Sequence, residues 1–270
     1  MQRPRLIASD VDGTLLGIDE VPTARTRAVV DRVLAAGVPF VLVTGRPPRW
    51  VPRVAKDVPN VRWALCANGA VLYDIHADRV HTAHTLPPEA LLELERACAK
   101  ALPNAWLGVE RVGTSAFEDA HTQFLCEDDY RHAWAGPDHT SVPRDALFDR
   151  PAIKLLARDP DQTSEDMVAA LAPYVGETID LTFSTSNGLV EAAPHGVSKA
   201  TGLADFADEL GIGADEVIAF GDMPNDVAML SWAGHGVAMG NAHPKVLAAA
   251  DEVTASNIDD GVALVLERWF

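Results

Sequence analysis

Asp10-Val11-Asp12-Gly13-Thr14 follows directly on the apolar run Leu6-Ile7-Ala8. The run reads as a short buried strand. Two carboxylates two residues apart at the carboxyl end of such a strand make a compact anionic site, and strand ends are where open α/β sheets place their chemistry. The pair can bind a divalent cation. It can also divide labour, one carboxylate attacking as nucleophile while the other moves protons. Gly13 permits a tight turn with backbone N–H groups free to face an anion. The same residues would also serve as an Asp-Gly turn with one Asp capping a helix. On this stretch alone both readings stand.

Outward from this stretch, strands and helices alternate. The pattern predicts a helix over Thr23–Ala36, a strand over Val38–Val43 running into Thr44-Gly45-Arg46, a helix from Pro47 to about Lys56, and a strand over Val61–Ala67 closed by the turn signal Asn68-Gly69. Such alternation implies a parallel sheet with right-handed crossovers. A strongly periodic helix is expected over Pro87–Lys100 (Leu91, Leu92, Leu94, Ala97, Cys98), and another over Glu165–Tyr174. Strand-like pieces follow at Ala105–Val109, Ile153–Ala157, and in the hairpin pair Ile179–Phe183 and Leu189–Ala192. Glu118–Pro151 reads as a loop with a helix in it. From Gly196 the first pattern returns: helix Ser198–Leu210, strand Glu216–Phe220 before Gly221-Asp222, helix Asn225–Trp232, strand His235–Met239, then Pro244–Ala250, Glu252–Thr254 and Asp260–Trp269. The expected architecture is a doubly wound, mostly parallel α/β core over residues 1–80 and 195–270, interrupted by an α+β cap over residues 81–194.

The bulk properties narrow the function. A formal net charge of −17 with no compensating basic block argues against nucleic acid or an anionic membrane as partner. An anionic substrate would need local positive charge or a metal. Cys66, Cys98 and Cys126 are an odd number without a Cys-x-x-Cys, which favours reduced thiols in a cytoplasmic protein. No signal-like segment opens the sequence, and no apolar run approaches transmembrane length.

In a parallel sheet the strands before Asp10, Thr44 and Asp222 finish on one edge, so their polar clusters converge. With Lys199, Asn225 and Asp226 they make a set of carboxylates, a hydroxyl, free N–H groups and a lysine. That is equipment for phosphoryl transfer: carboxylates for a hard cation such as Mg²⁺, and positive groups for the non-bridging phosphate oxygens.

Asp10-Val-Asp-Gly-Thr, Thr44-Gly-Arg, Gly196-Val-Ser-Lys199 and Gly221-Asp-Met-Pro-Asn-Asp226, in this order, resemble the four signatures of the haloacid dehalogenase-like (HAD) phosphatases. The cap position, Asn225-Asp226 and Gly240-Asn241-Ala242 are similar to the Cof-type branch. Val11 stands where Leu is commoner. The resemblance implies a Rossmann-like core and a role for each matching residue. Asp10 would be the nucleophile, forming an aspartyl-phosphate, and Asp12 the proton donor and acceptor. Thr44, Gly45, Lys199 and Asn225 would bind the phosphoryl group. Asp10, Asp12 (through its carbonyl) and Asp222 would bind Mg²⁺, with Asp226 supporting the metal shell. It implies a monomer or dimer, with a cap that closes over the crevice and reads the leaving group.

Plainer readings remain for several residues. Thr44 could be a helix N-cap, Asp226 a surface charge, and Asn241 a turn closer. Lys199 opens a helix, where a cation is unfavourable, and this speaks for a ligand role. Arg46 is expected at the crevice, meeting a substrate anion or a cap carboxylate. The nine histidines show no ligand spacing, and His121, His132 and His139 are expected at the surface. Trp106 and Trp134 are expected in the core. The function expected is a Mg²⁺-dependent hydrolase of a small phosphomonoester, a sugar phosphate or phosphorylated cofactor. The alternatives are a phosphomutase sharing the aspartyl-phosphate and a receiver-like signalling module. The second is disfavoured by Asp12, which can activate water, and by chain length.

Overall fold

The computed structural model describes residues 2–118, 123–133 and 138–270. His121 and Trp134 lie outside them. In chain order the described elements are β1 (Leu6–Ser9), α1 (Ala24–Ala35), β2 (Phe40–Val43), α2 (Val51–Ala55), β3 (Trp63–Cys66), β4 (Val71–Asp74), β5 (Arg79–Ala83), α3 (Pro88–Ala101), β6 (Trp106–Glu110), β7 (Phe124–Cys126), β8 (Thr140–Ser141), β9 (Lys154–Arg158), α4 (Ser164–Leu171), β10 (Ile179–Thr182), β11 (Leu189–Pro194), α5 (Lys199–Glu209), β12 (Val217–Gly221), α6 (Val227–Trp232), β13 (His235–Ala238), α7 (Pro244–Ala249), β14 (Glu252–Val253) and α8 (Gly261–Leu266). Short 3-10 turns join several of them. The chain divides into two compact units, Met1–His81 with Ser198–Phe270, and Thr82–Val197.

The first unit carries a sheet of order β14-β13-β12-β1-β2-β3-β4-β5. The pairs from β14 through β3 are parallel, and β3 with β4 is antiparallel. Buried parallel strands are apolar on both faces, and β1, β2 and β12 are buried at every position. Leu6, Ala8, Val41, Val43, Val217 and Ala219 pack with Leu203 and Phe206 of α5 and Met229 and Leu230 of α6. The alternate residues Ile7, Leu42, Ile218 and Phe220 are also buried, and α1 packs against β2 and α8. The unit is therefore a doubly wound α/β layer. Strand order reverses at β1, whose neighbours are β2 and β12, so the crevice of the fold lies at the ends of these three strands.

The second unit is α+β, with a sheet of order β10-β11-β9-β6-β7-β8 that is antiparallel except for β7 with β8. Leu91, Leu94 and Cys98 of α3 and Met167 and Leu171 of α4 cover one face, against Leu107, Val109, Leu125, Leu155 and Val190. Leu92, expected on that apolar stripe, is exposed. Phe124, Cys126, Leu156 and Leu189 point to the other face and pack with Tyr130 and half-buried Trp106.

β4 and β5 extend the first sheet beyond β3. Two sequence expectations are corrected. Glu118–Pro151 contains strands β7 and β8 and a 3-10 turn over Arg144–Phe148. His132 and His139 are not surface residues; both are half-buried, with ring centroids 4.3 Å apart. Among the described residues no helix is long and apolar enough to cross a membrane.

Candidate active site

The backbone leaves β1 at Asp10, whose N–H is still bonded to Phe220 O at 2.9 Å. It then makes a single wide turn over Val11–Leu15, with Gly13 at φ +79°. A Cβ on Gly13 would lie 2.3 Å from Asp222 Oδ2, so both the conformation and the close approach require glycine. The turn is clamped at several points. Thr14 Oγ1 donates to Asp222 Oδ1 at 2.9 Å. Asn241 Nδ2 donates to Gly13 O at 2.9 Å, while its Oδ1 accepts from Asn257 N at 3.0 Å. Asn241 therefore closes a turn and makes no bond to the carboxylates.

Lys199 is delivered by α5. Ser198 caps that helix through a reciprocal box with Thr201, so the lysine is fixed at the first helical position. Its Nζ donates to Asp10 Oδ1 at 2.5 Å and to Asp226 Oδ1 at 2.6 Å. Asp226 follows β12 and is fully buried, not a surface charge. Its Oδ2 accepts the N–H groups of Asp222 (3.0 Å) and Met223 (2.9 Å). This carboxylate thus shapes the Asp222 loop and anchors the lysine.

The electrostatics follow from burial. Asp10, Asp222 and Asp226 each offer one oxygen within 4.8 Å of the others. Three carboxylates share one ammonium. Burial, reinforced by Asp226, Asp222 and Asp12, raises the Asp10 pKa well above the ordinary value even though Lys199 opposes the shift. Burial and then Asp226 push Asp222 up to about 7, against the pull of the Thr14 hydroxyl and Lys199. Burial works against the charge of Lys199, but Asp10 and Asp226 outweigh it and raise its pKa. Fully ionised, the three carboxylates would exceed the charge of their one lysine by two, on hard oxygen donors. That donor set suits a divalent cation of the Mg²⁺ type. Since Asp226 spends both oxygens on Lys199 and two N–H groups, Asp10 and Asp222 are the side chains left to hold one.

The remaining sequence-selected residues fall in neighbouring loops. Thr44 is buried after β2, and its Oγ1 accepts Arg46 N at 3.0 Å. It is not the helix cap, since the following 3-10 turn begins at Pro48 with Pro47 at the cap position. A hydroxyl that accepts there still has a proton to donate. Gly45 lies half-buried beside it. Arg46 pairs with a carboxylate of the first motif, Asp12, through Nε to Oδ2 at 2.8 Å and NH2 to Oδ1 at 2.5 Å. The Asp12 side chain is 56 % exposed and stands outside the carboxylate cluster. Asn225 Nδ2 donates to Asn68 Oδ1 at 2.9 Å, and Asn225 Oδ1 is buried with no hydrogen-bond partner among the described residues. Thr14 and Asn68 escaped the sequence reading. Thr14 lies inside the first motif, so its place was available. Asn68, at φ +58°, read only as a turn residue.

A family model described as haloacid dehalogenase-like hydrolase matches residues 7–266. A 5-amino-6-(5-phospho-D-ribitylamino)uracil phosphatase of Bacillus subtilis is 28 % identical over 269 residues, covering 98 % of this chain and 95 % of its own length. A pyridoxal phosphate phosphatase of Escherichia coli is 28 % identical over 267 residues, covering 96 % of each chain. The crystal structure of a haloacid dehalogenase-like hydrolase from Bacteroides thetaiotaomicron superposes with a TM-score of 0.77 at 25 % identity, covering 99 % of this chain and all of that one.

Proposed function

The chain belongs to the haloacid dehalogenase-like hydrolases, and from that premise we propose that it is a Mg²⁺-dependent phosphatase of small phosphomonoesters working through an aspartyl-phosphate on Asp10. The observation that carries this reading is the buried contact of Lys199 with Asp10 and Asp226, beside an Asp222 fixed by Thr14.

Lys199 holds one oxygen of Asp10, which leaves the other to attack phosphorus in line. Lys199, the Thr44 hydroxyl, the loop at Gly45 and Asn225 bind the non-bridging oxygens. Asp10, Asp222 and the Asp12 carbonyl would hold Mg²⁺, which supplies the positive charge that keeps Asp10 ionised and offsets the charge of the phosphoryl group. Asp226 is a positioning residue, holding Lys199 and the Asp222 loop. Asp12 gives a proton to the leaving oxygen, then takes one from the water that attacks the aspartyl-phosphate. Because Arg46 donates to both Asp12 oxygens, that fork must open before Asp12 can pass a proton to the leaving oxygen.

Hydrolysis is preferred over a phosphomutase because the two relatives above are phosphatases, and the receiver-like alternative falls with the family assignment. The relatives' substrates, a phosphorylated ribitylaminouracil and pyridoxal phosphate, support a sugar phosphate or phosphorylated cofactor as substrate. The inserted unit, Thr82–Val197, is assigned the choice of leaving group. Cys66, Cys98 and Cys126 are buried free thiols, which supports a reducing, cytoplasmic setting.

The test is phosphate release from p-nitrophenyl phosphate and a panel of sugar and cofactor phosphates, with Mg²⁺ and with excess chelator. Release that needs Mg²⁺ and vanishes in Asp10→Asn supports the reading. Phosphate retained on an isomerised product would move it to a mutase. Release that is indifferent to chelator and to Asp10 would overturn it.

A further inference from the structure

We propose that Cys126, His132 and His139 form a transition-metal site in the inserted unit, suited to Zn²⁺ and separate from the carboxylate cluster. Each offers one ligand atom, and the three atoms lie within 4.8 Å of one another. The fold brings them together. β7 and β8 pair in parallel with Cys126 opposite Ser141. His139 directly precedes β8, two residues before Ser141. His132 comes from the loop after β7. Its ring lies 5.4 Å from Phe124, 5.0 Å from Tyr130 and 4.3 Å from His139.

Aromatic packing alone would account for the two rings, since phenylalanine could fill the same space. It does not account for the nitrogens. His139 Nδ1 is buried without a hydrogen-bond partner among the described residues. A buried acceptor or donor left unpaired is destabilising, and a cation bound there would remove that cost. Cys126 is a fully buried free thiol. Zinc bonds of about 2.3 Å to sulfur and about 2.0–2.1 Å to nitrogen set ligand atoms roughly 3.5 Å apart. The cluster therefore needs to close by about 1 Å.

One thiolate and two imidazoles select a borderline-soft ion, whereas Asp10 and Asp222 select a hard one. The fourth position is open to water. Binding breaks the Cys126 S–H bond, forms a metal–sulfur bond and releases the proton to solvent. Burial pushes this thiol up to about 11, so the release is close to one proton per ion at neutral pH. The ion would fasten His132 and His139 to β7.

The experiment titrates Co²⁺, as a spectroscopic stand-in for Zn²⁺, into the full-length protein with Mg²⁺ in large excess to hold the carboxylate cluster. The expected result is a one-to-one thiolate-to-cobalt charge-transfer band, displaced by Zn²⁺, with a Zn²⁺-dependent rise in Tm. Cys126→Ala should abolish the band. His139→Phe keeps the ring packing and removes the nitrogens; it should weaken binding by about a hundredfold or more. Both variants should keep Mg²⁺-dependent turnover. Absence of the band at saturating Co²⁺, or equal binding by wild type and His139→Phe, would overturn the proposal whatever the fate of the phosphatase reading.

Discussion

The Lys199 ammonium donates to Asp10 Oδ1 at 2.5 Å, with both side chains buried at the end of β1. It is the one lysine or arginine hydrogen-bonded to the carboxylate cluster among the described residues. Its folded pKa is raised, so its contribution to stability is complete below the unfolded lysine value and is lost only in strong alkali. At neutral pH, Lys199→Met should therefore cost the full effect of breaking a buried pair, about 3–5 kcal/mol. Urea denaturation of the metal-free protein measures it. Adding Asp226→Asn should return part of the stability but none of the turnover. A cost below about 1 kcal/mol would mean the pair is not desolvated as described.

Asp222 titrates in the opposite sense to an ordinary paired carboxylate. Its folded pKa of about 7 lies above the model-compound value of 3.8. The stability it lends is present below the unfolded value and is lost as pH rises through 7. Without divalent ions, Asp222→Asn should thus match wild type near pH 4 and exceed it by about 1–3 kcal/mol at pH 8, within the roughly 4 kcal/mol that such a shift allows. Mg²⁺ should raise the Tm of wild type at pH 8 and leave the variant unmoved. A difference that does not change with pH would contradict the burial argument.

Gly13 and Gly37 have similar backbone angles, φ +79° and +74°, but different surroundings. A Cβ at Gly13 meets Asp222 Oδ2 at 2.3 Å, and one at Gly37 meets nothing within 4 Å. Gly37→Ala should cost only left-handed strain, about 1–2 kcal/mol, with turnover unchanged. Gly13→Ala should also displace Asp222 and lower kcat by about a hundredfold, the usual scale for a misplacement near 1 Å. Paired stability and kinetic measurements separate the two. Equal losses of activity would argue against the close packing of Gly13 on Asp222.

Arg46 grips Asp12 with two donors, a geometry lysine cannot reproduce. If Arg46 positions Asp12, Arg46→Lys should lower kcat about tenfold while KM stays nearly constant. If it instead binds a substrate anion, KM should carry the loss. Steady-state kinetics on the best substrate of the panel decides between them.

What the sequence made legible follows from its physics. Leu6–Ala8, Val41–Val43 and Val217–Phe220 are apolar runs because parallel strands are buried on both faces. Each stops at a polar cluster, so their convergence could be inferred. β5 lies almost wholly at the surface, and β7 and β8 are only three and two residues long, too short to show a period. The bonds of Arg46 to Asp12, Asn225 to Asn68 and Thr14 to Asp222 join residues far apart in the chain. Spacing carries no trace of them. The nearness of His132, His139 and Cys126 depends on the register of β7 with β8, which the sequence does not state.

The most direct test of the central claim is acid quench of the Mg²⁺-loaded enzyme during turnover of a substrate labelled in its phosphoryl group, followed by mapping of label left on the protein. The account predicts label on the peptide containing Asp10, sensitive to alkali as an acyl-phosphate is, and none in Asp10→Asn. Label on another residue, or full turnover by Asp10→Asn, would contradict it.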